Sequence, residues 1–111
     1  DNISSVDFMF VSQPLYHSTI SRVMGVIDGK KTEAIYDQGQ FILDTIRKNA
    51  VLAVFAGDHH VYSRSVDPVK KSLLHYVTGA LTTEQSFGSQ EFLFMKIYDT
   101  KEYVIERISV F

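Results

Sequence analysis

At 111 residues and a formal charge of −2 at pH 7, the chain has the size of one ordinary domain and no overall field that would draw it to nucleic acid or to an anionic membrane. Its 45% hydrophobic and 22% charged residues, with 8 Phe and 6 Tyr, are the composition of a chain that folds rather than one that stays disordered. The absence of cysteine excludes disulfides and thiolate metal sites, leaving His, Asp, Glu, Asn and backbone carbonyls as metal ligands.

Asp1 to Ser5 show neither an initiator methionine nor the basic-then-apolar pattern of a signal peptide, so the chain is expected to begin inside a longer parent. Val6 to Ser12 (VDFMFVS) is an apolar run rich in strand formers, cut off by Gln13-Pro14, and predicts a buried strand that ends in a loop. Residues 17 to 34, with Gly25, Gly29 and Lys30-Lys31, lack sustained periodicity and predict a loop containing at most one short helix. From Ile35 the small or apolar positions Ile35, Gly39, Ile42, Ile46 and Ala50 recur on one helical stripe and Arg47-Lys48 suit the negative end of a helix dipole, which predicts a helix from about Glu33 to Asn49. Val51 to Ala56 is continuously apolar, the pattern of a strand covered on both faces, and Gly57 closes it. Strand, helix and strand in that order predict a βαβ unit, whose strand ends open on one edge of a parallel sheet, where such folds place ligands.

Beyond Gly57 the pattern changes. Leu73 to Thr78 predicts another strand, and Gly79 to Gln90 is polar and turn-rich. Glu91 to Tyr98 and Tyr103 to Val110 predict an antiparallel hairpin turning at Asp99 to Glu102. In that hairpin Leu93, Met95 and Ile97 share one face, as do Val104, Ile108 and Val110, with Glu106 as a mismatch. No apolar run approaches the ~20 residues that cross a bilayer.

The segment richest in chemistry is Val54 to Arg64 (VFAGDHHVYSR). An apolar strand that ends in Gly and meets three potential ligands, Asp58, His59 and His60, lets the backbone turn sharply and aims imidazole and carboxylate groups above the sheet. Asp58 as a turn cap beside two polar loop histidines is the plainer alternative. The stretch resembles the Gly-His-x-His-x-Tyr-x-Arg signature of the calcineurin-like and purple-acid-phosphatase-like metallophosphoesterases, matching at Gly57, His60, Tyr62 and Arg64 and departing at Asp58. Upstream, Val11 to Ser18 (VSQPLYHS) resembles the family's strand followed by His-x-Pro and an aromatic, with Ser12 where the family has His. No block of the Asp-x-His or Gly-Asn-His kind, which the family carries earlier in its sequence, precedes Val54.

The resemblance implies an α/β fold that is part of an α-β-β-α metallophosphoesterase sandwich, a βαβ unit followed by mostly antiparallel strands. Residues 1–111 would then be the C-terminal half of one domain, with the N-terminal half absent from the chain. It implies a metal-dependent phosphoesterase that cleaves phosphorylated small molecules or other phosphoesters with a metal-activated water, using two divalent or mixed-valent ions of Fe, Zn or Mn. Asp58, His59 and His60 would be metal ligands, His17 and His59 acid–base groups, and Arg64 and Tyr62 contacts to the substrate phosphate. Ser12 and Asp58 motivate the alternative, a binding or scaffold protein of the same fold with a degenerate second metal site. The 111-residue chain alone is expected to be inactive and to self-associate through apolar surface that the missing half would cover. Arg64 could instead pair with Asp67; His75 is expected to be packed or hydrogen-bonded, Lys70-Lys71 to be a solvated turn, and the aromatic residues to lie in the core.

Overall fold

Two apolar runs separated by an amphipathic helix must place their strands side by side if the helix is to bury its stripe, and that constraint organises the molecule. The computed structural model describes residues 7–17, 22–57, 62–78, 91–100 and 102–109. Strand β1 (Phe8–Val11) is followed in the chain by a small antiparallel pair, β2 (Val26–Ile27) and β3 (Lys30–Lys31). This pair stands where the sequence predicts a loop with at most a short helix. Asp28 and Gly29 both adopt positive φ, 52° and 81°, as a two-residue hairpin turn requires, and the Asp-Gly dipeptide supplies residues that tolerate it. Gly25, at φ 86°, lies against the first turn of the helix that follows, where an added Cβ would come within 2.3 Å of the Tyr36 amide nitrogen.

Helix α1 (Glu33–Arg47) ends two residues before the expected Asn49, because the Asn49 amide turns back to the Ile46 carbonyl and its side chain caps Thr45 O at 2.7 Å. Its buried face is Gly39, Leu43 and Ile46, while Ile35 is exposed. Strand β4 (Ala53–Ala56) is buried at every residue and pairs in parallel with β1, from Phe8 opposite Ala53 to Val11 opposite Ala56. The expected βαβ unit is therefore formed. Strand β5 (Ser63–Val66) was not legible as a strand, since Ser-Arg-Ser-Val has no apolar run; it pairs antiparallel with β6 (Leu74–Val77), which lies parallel to β4. The sheet order is β1-β4-β6-β5.

Strands β7 (Glu91–Ile97) and β8 (Tyr103–Ser109) form the expected hairpin, closed by the Tyr98 amide on the Glu102 carbonyl at 2.9 Å. The face of β8 is the opposite of the expected one. Tyr103, Ile105 and Arg107 stand across from Ile97, Met95 and Leu93, so Val104, Glu106 and Ile108 belong to the outer face and Glu106 is no mismatch; Val110 lies outside the described residues. Tyr103 wins the inner face because its ring reaches Phe8 edge-on, with centroids 5.2 Å apart.

Three layers result. On one side of the sheet Leu15, Leu43, Ile46, Val51, Val54 and Leu73 form a core under α1. On the other, Ala53, Phe55 and Tyr76 pack against Phe8, Leu93, Met95, Tyr103 and Ile105 of the outer strand and hairpin. The architecture is mixed helix and sheet, of the general α/β class, and no helix among the described residues is long and apolar enough to cross a membrane. Not all aromatic residues are core: Phe10 and Phe41 are 70% and 74% exposed, and Phe92 and Phe94 lie on the outer face of the hairpin.

A buried carboxylate ties the layers at one end. Asp67 is fully buried and accepts bonds from Arg47 Nε and Nη2 at 2.8 and 3.0 Å, from His75 Nε2 at 2.8 Å, and from the amides of Val69 and Lys70. Asp67 is thus taken by Arg47, not by Arg64. Lys70 is no solvated turn residue, since its ammonium donates to the Asn49 carbonyl; Lys71 is exposed as expected. Burial pushes the Asp67 carboxyl up, but Arg47, the Lys70 amide, His75 and the Val69 amide outweigh it and hold the group at about 2. Burial lowers His75 against the opposing pull of Asp67, so the imidazole is neutral and donates its Nε2 proton.

Both shifts have the same sign in their effect on stability. Below 6.5, the ordinary value for His75, the unfolded chain takes up a proton that the folded one resists, and stability falls as pH drops. The Asp67 contribution is complete above its ordinary 3.8 and is lost as pH falls towards about 2. Urea midpoints measured across this range should decline from near neutrality downwards, and His75→Gln should flatten the upper part of the decline. Asp67→Ala should cost about 3 kcal/mol, because it strands the buried end of Arg47 and the turn amides.

Candidate active site at the carboxyl edge of the sheet

Because β1, β4 and β6 are parallel, their carboxyl ends lie at one edge, and β5, running the other way, begins there. Ser12, Gly57, Tyr62, Ser63 and Thr78 therefore converge on this edge from four different strands. Backbone contacts fasten it: the Thr78 amide donates to the Ala56 carbonyl at 2.9 Å, and Gly57 lies beside the Ser12 carbonyl. The loop after β1 returns across the edge, and His17 Nε2 meets Ser63 Oγ at 3.0 Å, with both residues half-buried. One hydrogen bond thus joins the two segments that the sequence singles out separately.

The expected site residues divide into three groups. Asp58, His59 and His60 lie outside the described residues, although Gly57 and Tyr62, which flank this stretch, are both at the edge. His17 is at the edge and engaged with Ser63, and Ser12 is exposed at the end of β1. Tyr62 and Arg64 are turned to the hairpin side. Arg64 is exposed and shares a sheet face with its register partner Tyr76, opposite the face of Ser63. Tyr62 is half-buried, with the Arg107 guanidinium 4.1 Å from its ring centroid, and burial together with Tyr76 raises its hydroxyl pKa against the opposing charges of Arg107 and Arg64.

Sequence reading overlooked two contributors. Ser63 carries no signal by itself, and only its place at the start of an unrecognised strand brings it to His17. Glu91, 4% exposed, accepts Arg107 Nε and Nη2 at 2.8 and 3.1 Å. This pair was legible in principle: once the turn at Asp99 to Glu102 fixes the register, Glu91 and Arg107 fall on the same face as diagonal neighbours. Beside the edge opens an apolar cleft of about 450 Å³, lined in part by Phe10, Phe55, Ala56, Thr78, Glu91 and Phe92.

Among the described residues no group of three or more His, Asp or Glu comes together as a metal site. The donor set at the edge explains this, since Ser12 offers a neutral hydroxyl, His17 Nε2 is engaged and both Glu91 oxygens are held by Arg107. These residues do not by themselves fit a metal pair. No family model, no curated protein and no solved structure matches the chain.

The His17–Ser63 bond spans 46 positions of sequence and should be felt as a local restraint. His17→Ala is expected to speed amide hydrogen exchange in the first residues of β5 while leaving the buried amides of β4 unchanged. Equal acceleration in both strands would mean that His17 supports the core rather than the edge.

Proposed function

We infer that the chain is the C-terminal part of a metal-dependent phosphoesterase domain of the calcineurin-like and purple-acid-phosphatase-like kind, forming part of an α-β-β-α sandwich. The observation that carries the reading is the His17–Ser63 bond: it brings the segment resembling the family's His-x-Pro block onto the segment resembling its Gly-His-x-His-x-Tyr-x-Arg block. Both lie at the carboxyl edge of parallel strands, where α/β folds place ligands. A helix on one face of the sheet and a β-hairpin on the other suit such a sandwich.

The edge at β1 supports the half-domain part of the reading. Among the described residues strand β1 ends the sheet, yet its sequence, Phe-Met-Phe-Val, has neither a charge nor a proline to discourage further pairing. Apolar residues on both faces are the mark of an interior strand. Another strand beside β1 would cover Phe10 and close the apolar cleft between sheet and hairpin.

In this reading Asp58, His59 and His60 hold metal, which when bound supplies Lewis-acid stabilisation of the phosphoryl oxygens. The chain's own residues handle the proton. Water oxygen forms the new bond to phosphorus, and the ester P–O bond breaks with its electron pair on the leaving oxygen. His17 gives that oxygen a proton and regains one from the attacking water. A binding or scaffold protein of the same fold is the second reading, favoured by the Ser12 hydroxyl at the family's ligand position and by the engagement of Glu91 with Arg107.

Metal content and turnover separate the readings. The 111-residue chain should not hydrolyse an aryl phosphate, whereas a protein extended to the complete domain should bind two metal ions and turn over; hydrolysis by the isolated chain would overturn the half-domain reading. In the complete domain His60→Ala should lower metal occupancy and activity together, and His75→Ala should lower stability. Ser12→His should tighten the second metal in a degenerate scaffold and give no gain in a working enzyme, because imidazole outcompetes a hydroxyl only where a coordination position is open.

A further inference from the structure

The two described histidines have partners of opposite character. His75 is clamped by a carboxylate, which accepts from an N–H and nothing else, so its tautomer is fixed with the proton on Nε2. His17 meets a serine hydroxyl, which both donates and accepts. In the imidazolium, and in the neutral ring protonated at Nε2, the ring donates and Ser63 Oγ accepts. In the neutral ring protonated at Nδ1, the Ser63 hydroxyl donates to Nε2. The bond to Ser63 survives all three states by reversing its direction.

A histidine that must release and recover a proton in each turnover needs such a partner. We propose that Ser63 is a positioning residue for His17, holding its ring at the carboxyl edge through both protonation states so that it can serve as the proton carrier of phosphoester cleavage. The inference rests on the functional reading given above and adds to it a residue for which the sequence offered no role. The fold supports the assignment: Ser63 is the first residue of β5 and opposes Val77, the last residue of β6, so its backbone is fixed by the ladder while its hydroxyl remains at the edge. Arg64, the next residue, belongs to the other face and cannot replace it.

The test compares Ser63→Ala, which removes the hydroxyl, with Ser63→Thr, which retains it. In the complete domain Ser63→Ala should lower kcat by about tenfold on an alkyl phosphate, whose leaving oxygen needs a proton, with KM little changed. It should have little effect on a nitrophenyl phosphate, whose leaving group departs as the anion, and Ser63→Thr should recover most of the loss. An equal loss on both substrates would mark a structural role and overturn the proposal. A second measurement does not depend on turnover: ring nitrogen-15 shifts of the 111-residue chain should show Ser63→Ala altering the tautomer ratio of His17 and leaving that of His75 unchanged. If the His17 ring is indifferent to Ser63→Ala, the positioning role fails whatever the activity. If the ring responds but the complete domain cleaves no phosphoester, the functional reading fails, and with it the proton-carrier role.

Discussion

A carboxylate removed from water is tolerated only when its lone pairs are met, and Asp67 meets that condition with five donors drawn from three parts of the chain. Arg47 comes from the last turn of α1, Val69 and Lys70 from the turn between β5 and β6, and His75 from β6. The arrangement fixes the helix end against the sheet and pins the β5–β6 turn at the edge opposite the candidate site. With that turn fixed, β5 must run back antiparallel beside β6, and its first residue arrives at the carboxyl edge. The meeting of Ser63 with His17 thus depends on an ion pair at the far end of the same strand.

What the sequence made legible follows from how each element is held. The helix and the strands β4 and β6 announce themselves because burial on one stripe or on both faces leaves a pattern in the residues themselves, whereas β1 shows the same apolar run of strand formers but is half-buried or exposed rather than the buried strand it resembles. β5 leaves none. It is an edge strand of alternating serine with arginine or valine, stabilised by its ladder to β6 and by the Asp67 turn, so its existence is a property of its neighbours. The β2–β3 hairpin was not read from the sequence: Asp28-Gly29 suits the positive φ values of its turn, but strands of two residues carry no periodicity. The inversion of β8 has a similar cause: Val104 and Ile108 are as apolar as Tyr103 and Ile105, and only the aromatic contacts of Tyr103 with Phe8 and Tyr76 decide which set faces inward.

The candidate site was legible to the same partial degree. That an apolar strand ending at Gly57 would deliver chemistry to a sheet edge follows from the parallel order of β1 and β4. That His17 would reach the same edge does not, because a loop position carries no register, and the contact with Ser63 is made across the sheet rather than along the chain. Tyr62 and Arg64, adjacent to the ligand-like stretch in sequence, are turned to the hairpin side by the alternation of β5 and the pull of Arg107 on the Tyr62 ring. Proximity in sequence to a motif is a weaker guide to a site than the parity of the residue in its strand.

The same parity shows how the two faces of the sheet are unequally finished. The face under α1 is closed: Ile46, Val51, Val54 and Leu73 are all at or below 1% exposure. The other face carries a stack of near-parallel rings, Tyr76 on Phe55 at 5.0 Å and Phe55 on Phe10 at 5.3 Å, that runs across the strands and ends in Phe10 in contact with solvent. A stack that begins in the core and terminates on the exposed side of an uncharged edge strand has buried two of its rings and left the third waiting for a neighbour. Extending the sheet by one strand at β1 would cover the exposed ring, pair an edge that is open among the described residues and complete the wall of the apolar cleft at once. The features that look unfinished among the described residues therefore share one location, the β1 side of the hairpin face, at the opposite end of the strand order from Ser63 on β5.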